Sequence, residues 1–362
     1  MLNRRQIIGT AFATAAFPGV AFASTPEASP VADLATRINA LIADQSVDIP
    51  FTGVALVTMA GVPVLDAAYG FADGVTRTPN TTDTGFQIAS ITKTMTAALT
   101  VQLRDEGSFA LDDPASALLP RFADQLDSGS TPVTVRHLLN HTSGVPDFLE
   151  LYDVFDIEHY PESLDVLLDR IAGEPLLFEP GTDFHYSNSG YLYLGRIIEA
   201  VTGRTWEEAL AERITEPLDL DRTWLTPPDN RGPLATGYLL LDGLVLPVSR
   251  LGRPELADSA GGLTSTTSDL LAWVDAFMTG SVVDLNSVEE MLIPGLDNYG
   301  LGWETIRVDG VEWNGHYGQT IGFRSALAYQ PECDATVILL SNRQDFPISQ
   351  LHRQVLELIQ RS

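Results

Sequence analysis

The sequence predicts an α+β fold in which both ends of the chain complete one sheet around a mainly helical middle. Three observations carry this expectation. Two strand-like runs stand near the N-terminus, and four more follow Tyr299. The residues between them keep mostly helical spacing. An amphipathic helix stands at each end of the pattern.

The first 23 residues stand apart from that fold. Arg4-Arg5, a short, mildly apolar stretch and the small-x-small end Ala21-Phe22-Ala23 read as a secretory signal peptide. Gln6-Ile7-Ile8 behind the paired arginines points to twin-arginine export. Pro18-Gly19 interrupts the stretch and argues against a buried helix. Cleavage removes two arginines and no acid, so the net charge moves from -27 to -27 - 2 = -29. The mature chain is then expected in the periplasm or outside the cell. Residues 24–32 read as a tether, and 33–362 as one domain. Within it, 33–84 and about 255–362 supply the sheet part, and about 85–254 the mainly helical part.

The elements follow in order. Leu34, Ile38, Leu41 and Ile42 predict a helix over 31–44. The runs 51–60 and 63–70, divided at Gly61, predict a hairpin. Residues 90–106 carry a helical pattern that closes at Gly107. Residues 108–225 are mainly helical, broken by loops at 140–146 and 179–190. Pro227-Pro228 and Gly232-Pro233 mark an excursion, and 268–278 is helical again. Strands are predicted near 300–308, 311–317, 322–330 and 334–342. Leu351, Val355 and Ile359 mark the last helix.

Composition narrows the functions. A chain of 362 residues, 44% hydrophobic and 19% charged, can bury a large core and is unlike a disordered segment. A net charge of -27 argues against nucleic acid or an anionic membrane as partner. No later stretch approaches the roughly 20 apolar residues of a membrane span. The single cysteine, Cys333, excludes an intrachain disulfide and a cysteine-clustered metal site. His137 and His141 have the spacing of two zinc ligands, but Leu138 stands where a zinc protease needs Glu. Both histidines are therefore read as loop supports, and no metal or organic cofactor is expected. Lys93 follows Thr92 rather than Gly, which rules out a P-loop, and no serine sits in Gly-x-Ser-x-Gly.

Lys93 is the only lysine beside 20 arginines, and it follows Ser90 by three residues. On a helix, that spacing puts the hydroxyl and the amine on one face. Serine is a weak nucleophile that needs a base, and lysine can serve where arginine cannot lose its proton. A second signal is Tyr186-Ser187-Asn188, in the loop of Pro180-Gly181. A tyrosine beside a cationic lysine is expected to have a depressed pKa and to shuttle a proton. An asparagine amide there suits a substrate carbonyl. A third signal, His316-Tyr317-Gly318, closes a strand. Taken singly, each has a plain structural reading: a capping serine, a packed tyrosine with a turn asparagine, and an edge-strand histidine.

Together and in this order they resemble the serine β-lactamase and penicillin-binding protein superfamily. Tyr-x-Asn resembles its class C β-lactamase and D-alanyl-D-alanine carboxypeptidase-like branch. The segments Gly85 to Ser90, His141 to Gly144, Ala260 to Leu263 and Tyr299 to Trp303 resemble that branch too. The resemblance implies an antiparallel sheet flanked by the terminal helices, with an inserted helical subdomain and the site where the two meet. It implies catalysis by Ser90, Lys93 and Tyr186 through an acyl-enzyme. Asn188, His316, Tyr317, Gly318 and Gln319 would bind substrate, with the backbone N–H groups of Ser90 and Gln319 receiving the oxyanion. The substrate would be a small-molecule or peptide acyl compound, handled by a D-alanyl-D-alanine carboxypeptidase or β-lactamase-like hydrolase. A carboxylesterase, a D-amino-acid amidase and a non-catalytic binding or assembly homologue are the alternatives.

The third motif departs from the family's Lys-Thr-Gly. His316 replaces the permanent charge, and Tyr317 is expected to add an aromatic wall. With an ordinary pKa of about 6.5, His316 would be mostly neutral at pH 7 and gain charge below it. Acylation by a carboxylate-bearing β-lactam would then strengthen in mild acid. If another group took the carboxylate, Arg324 is the first place to look.

Overall fold

Alternation writes two faces into the central strands. Val54 and Leu56 face one way and Ala55 and Val57 the other, and Ile338 and Leu340 alternate likewise with Val337 and Leu339. Each set needs its own cover, so the sheet is buried on both sides. The computed structural model describes residues 30–45, 49–151, 161–225, 232–248 and 254–362. The expected signal peptide 1–23, residues 24–29 of the expected tether and Pro227-Pro228 lie outside the described residues.

Among the described residues the sheet has six antiparallel strands: β1 (Gly53–Met59), β2 (Val62–Tyr69), β3 (Glu304–Val308), β4 (Val311–Thr320), β5 (Phe323–Gln330) and β6 (Ala335–Ser341). Their order is β2-β1-β6-β5-β4-β3, so the N-terminal hairpin joins the C-terminal strands through β1 and β6. One face is covered by the terminal helices, α1 (Pro30–Gln45) and α6 (Ile348–Gln360). Leu34, Ile38 and Ile42 meet Leu351, Val355 and Ile359 there. Helix α1 begins at Pro30, inside the tether expected at 24–32. Proline suits a first helical turn, where the missing N–H would have no partner.

The other face carries the helical layer. Its centre is α2 (Thr92–Asp105), buried at every position from Thr92 to Val101. A helix buried all round must satisfy its polar groups internally. Thr94 Oγ1 donates to the Ile91 carbonyl at 2.8 Å, Thr96 Oγ1 to that of Ser259 at 2.7 Å, and Thr100 Oγ1 to that of Thr96 at 2.8 Å. Around α2 pack α3 (Asn188–Thr202) and the kinked α4 (Pro254–Gly261), while α5 (Thr267–Met278) contacts the sheet. Helix α4 belongs with the helical layer, so the sheet part expected from about 255 starts at β3. The part expected to be mainly helical also contains a hairpin, Tyr238–Leu241 with Leu244–Pro247, for which no element was predicted. Burial does not drive its outer end, since Leu241 and Leu244 are exposed. The tip Asp242-Gly243, with both residues at positive φ, supplies the turn chemistry.

Candidate active site

Ser90 stands on a short 3-10 turn, Ala89–Ile91, that runs directly into α2. The helix expected from Ser90 therefore starts at Thr92. Ala89 takes φ 48, a left-handed conformation that a non-glycine residue keeps only under constraint. The constraint comes from both sides. Ile88 N–H donates to the Leu263 carbonyl at 2.9 Å, and Ser325 Oγ donates to the Ile88 carbonyl at 2.7 Å. Gly318 lets β4 come this close, because a Cβ there would collide with Ser325 Oγ and the Ile88 carbonyl oxygen.

Lys93 projects from the first turn of α2, fully buried. Its Nζ donates to Ser90 Oγ at 3.1 Å, to Asn188 Oδ1 at 2.7 Å and to the Ala260 carbonyl. It also lies over the rings of Tyr186 and Tyr191, 4.9 and 5.3 Å from their centroids. Burial drives its pKa down to about 7, although the charges of Asp147 and Glu304 push the other way. A lysine so placed can give up its proton near neutral pH.

Tyr186 shares a hydrogen bond with Ser90, so the first two motifs meet at one oxygen. Its expected depressed pKa is overturned: burial drives the phenol well above its ordinary value. The lysine is itself inclined to be neutral, and desolvation of a phenolate outweighs its help. Tyr186 is thus a neutral hydroxyl. Its ring packs against His141, 4.2 Å between centroids. His141 Nδ1 accepts the Ser187 N–H at 3.1 Å and fixes the loop ahead of Asn188. His137 Nδ1 accepts the Thr134 N–H at 3.2 Å and closes a capping box. Both expected loop supports have that geometry.

Asn188 opens α3, capped by Ser187 Oγ accepting the Gly190 N–H at 3.2 Å. Its Nδ2 donates to both oxygens of Asp147, at 3.2 and 3.0 Å, leaving Oδ1 for Lys93. Asp147 was not singled out from the sequence, where it is one acid among 48 following a Gly-x-Pro turn. Its anion raises the pKa of Lys93. Asp147→Asn removes that field, so the acid limb of kcat/KM should move to lower pH. The pH profile of purified enzyme checks this, and an upward shift would contradict the assignment.

The third motif is split by strand parity. His316 and Gly318 face the helical layer, whereas Tyr317 shares the side of Trp313 against α6. His316 is fully buried, and its Nε2 pairs with the Tyr299 hydroxyl at 2.9 Å. It is not among the residues lining the cleft. Burial, aided by Lys93, lowers its pKa to about 3, so the charge expected below pH 6.5 does not develop. Tyr317 borders the cleft, while its ring packs edge-on against His352, 5.4 Å between centroids, and its hydroxyl meets His352 Nδ1 at 3.2 Å.

Ser90, Tyr186, Asn188, Gly318 and Gln319 border one cleft of about 740 Å³. Arg324 borders it too, with Nε donating to the Gln344 carbonyl at 2.8 Å and a second contact to Gln319 Oε1. Glu304 is the other acid of this wall. Its only sequence signal was its place directly behind Tyr299 to Trp303. Burial raises its carboxyl to about 7.

Comparison with known proteins agrees with this geometry. The family model described as Beta-lactamase matches residues 38–360. The chain is similar to penicillin-binding protein 4 of Amycolatopsis lactamdurans, 29% identical over 80% of this chain and 80% of that protein. It is similar to esterase EstB of Burkholderia gladioli, 35% identical over 52% of this chain and 51% of that one. Among solved structures it resembles the D-amino acid amidase of Ochrobactrum anthropi SV3, with a TM-score of 0.78 and 28% identity, covering 91% of this chain and 99% of that one.

Proposed function

The chain belongs to the beta-lactamase family and is a serine acyl hydrolase, and we propose that Ser90 is its nucleophile and that it acts on esters or amides lacking a carboxylate beside the scissile bond. The observation that carries this reading is Lys93 Nζ at 3.1 Å from Ser90 Oγ, fully buried with a pKa of about 7. Lys93 takes the Ser90 proton as Oγ forms its bond to the carbonyl carbon. The Ser90 and Gln319 N–H groups receive the developing oxyanion. Tyr186 passes its proton to the leaving nitrogen or oxygen as that bond breaks and takes the one held by Lys93, which returns both side chains to their neutral forms. Water then enters and gives a proton to Lys93 as its oxygen bonds to the acyl carbon; the bond to Ser90 Oγ breaks, Lys93 returns that proton to Oγ, and the acid leaves. Asn188 positions the lysine, and no step needs a cofactor.

The substrate preference rests on charge. His316 is neutral, Lys93 is occupied, and Arg324 is engaged with Gln319 and Gln344. Glu304 adds an acid to the wall. The test compares kcat/KM for a short-chain p-nitrophenyl ester, a D-amino-acid amide and benzylpenicillin. One of the first two should lead, and a clear preference for penicillin would overturn the preference. Among the described residues no helix is long and apolar enough to cross a membrane. Export by the twin-arginine route belongs to the same proposal, motivated by Arg4-Arg5. Replacing both with lysine should leave the protein in the cytoplasm of a bacterial host, and normal export would point to the general secretory route.

A further inference from the structure

Two acids line the cleft, and they are used differently. Asp147 accepts from Asn188 through both oxygens. Glu304 forms no ion pair with an arginine or lysine among the described residues, and the ring nitrogen at 3.6 Å belongs to the neutral His316. The backbone N–H of Tyr317 favours its ionised form, and 29% of its side-chain surface stays open.

The strand edge explains what this placement is near. β3 starts at Glu304, opposite Gly315, while β4 continues to Thr320. Beyond Gly315 the edge of β4 therefore has no neighbouring strand among the described residues. N–H groups on one edge recur at every second residue, so Tyr317 and Gln319 donate outward side by side. Glu304 caps the first. The second is the oxyanion donor of the proposed mechanism. Two residues of strand separate them by about 6.5–7 Å. With a hydrogen bond of about 2.9 Å at each N–H, a group one or two carbons from the carbonyl reaches the carboxylate.

We propose that Glu304 is a specificity residue that binds an ammonium group on the α- or β-carbon of the substrate's acyl portion. The assignment rests on the reading that the carbonyl acylating Ser90 sits at this strand edge. Lys93, His316 and Asp297, with the neutral hydroxyls of Tyr186, Tyr299 and Tyr317, are the other titratable groups acting on the carboxyl or beside it. Lys93 is engaged by Asn188 and Ala260, and His316 is neutral, so neither supplies the missing cation. An arriving ammonium supplies it, replaces the lost solvation and favours the ionised acid. A carboxylate at the same place meets like charge.

The experiment reads protection of Ser90 from a fluorophosphonate probe, so it does not depend on turnover. The competitors are both enantiomers of phenylalanine amide, their N-acetyl forms and their N-succinyl forms, at a pH of about 8, where the Glu304 carboxyl is mainly ionised. In the wild type, one enantiomer of the free amine should protect at a concentration about tenfold or more below its N-acetyl form. Glu304→Gln should bring the two within about twofold, and Glu304→Arg should favour the N-succinyl form. Equal or better protection by the N-acetyl form in the wild type overturns the proposal, as does an unchanged ratio in Glu304→Gln. The wild-type comparison stands even if a variant fails to fold, which its melting curve reports. Failure of the probe to label Ser90 at all would instead overturn the reading beneath it.

Discussion

Ser90→Ala is expected to abolish the covalent adduct and to lower kcat on the order of 10⁴- to 10⁶-fold. The expectation follows from convergence on one oxygen. Lys93 Nζ reaches Ser90 Oγ at 3.1 Å, and Tyr186 shares a hydrogen bond with it. Ala89 at φ 48 and the contact of Gly318 with this turn hold the hydroxyl at the floor of the cleft. Among the described residues no other serine lines the cleft except Ser349, the exposed second residue of α6, which has no lysine beside it. Intact-mass measurement after a fluorophosphonate should give one adduct in the wild type and none in Ser90→Ala. An adduct elsewhere, or an active alanine variant, would sink the assignment. The melting temperature should change little, because the loss is one hydroxyl on a partly exposed turn.

The parts of this site legible in the sequence are those fixed by short spacing. Ser90 and Lys93 lie one helical turn apart, so their meeting needs only a helix. Tyr186 and Asn188 flank the Ser187 cap of α3, again a local device. The strand runs near both ends were equally readable, as was their joining into one sheet. What was not legible depends on packing between distant segments. Asp147 meets Asn188 across 41 residues of chain, and nothing around it separates it from the other acids. Glu304 acquires its place only because β3 starts there and β4 runs on. Burial also reversed two expectations. A neighbouring cation should depress Tyr186, yet desolvation of a phenolate is the larger effect. His316 loses its ordinary titration for the same reason. Tyr317 is a different case, since its parity with Trp313 puts it on the α6 face once β4 is known to be regular throughout.

Lys93→Arg is expected to be nearly as inactive as Lys93→Ala, with kcat/KM lowered about 10²- to 10⁴-fold. The arginine preserves the charge, so the pair of variants separates a proton acceptor from an electrostatic support. The pocket was built for an ammonium: Asn188 Oδ1, the Ala260 carbonyl and Ser90 Oγ accept from one nitrogen. A planar guanidinium cannot meet all three from a point, and it cannot lose its proton. The pH profile sharpens the distinction. Lys93 has a pKa of about 7, so its neutral form, the one able to take a proton, accumulates as pH rises through that value. Wild-type kcat/KM should therefore climb through an acid limb near 7, and the residual activity of Lys93→Arg should show no such limb. Raising the pH should not rescue the arginine variant, because its side chain stays charged throughout the range where the fold survives. If Lys93→Arg kept more than about a tenth of wild-type turnover, the acceptor role assigned to lysine would fail. Tyr186, although its pKa is raised, would then be the remaining hydroxyl in contact with Ser90 from which a base could be formed.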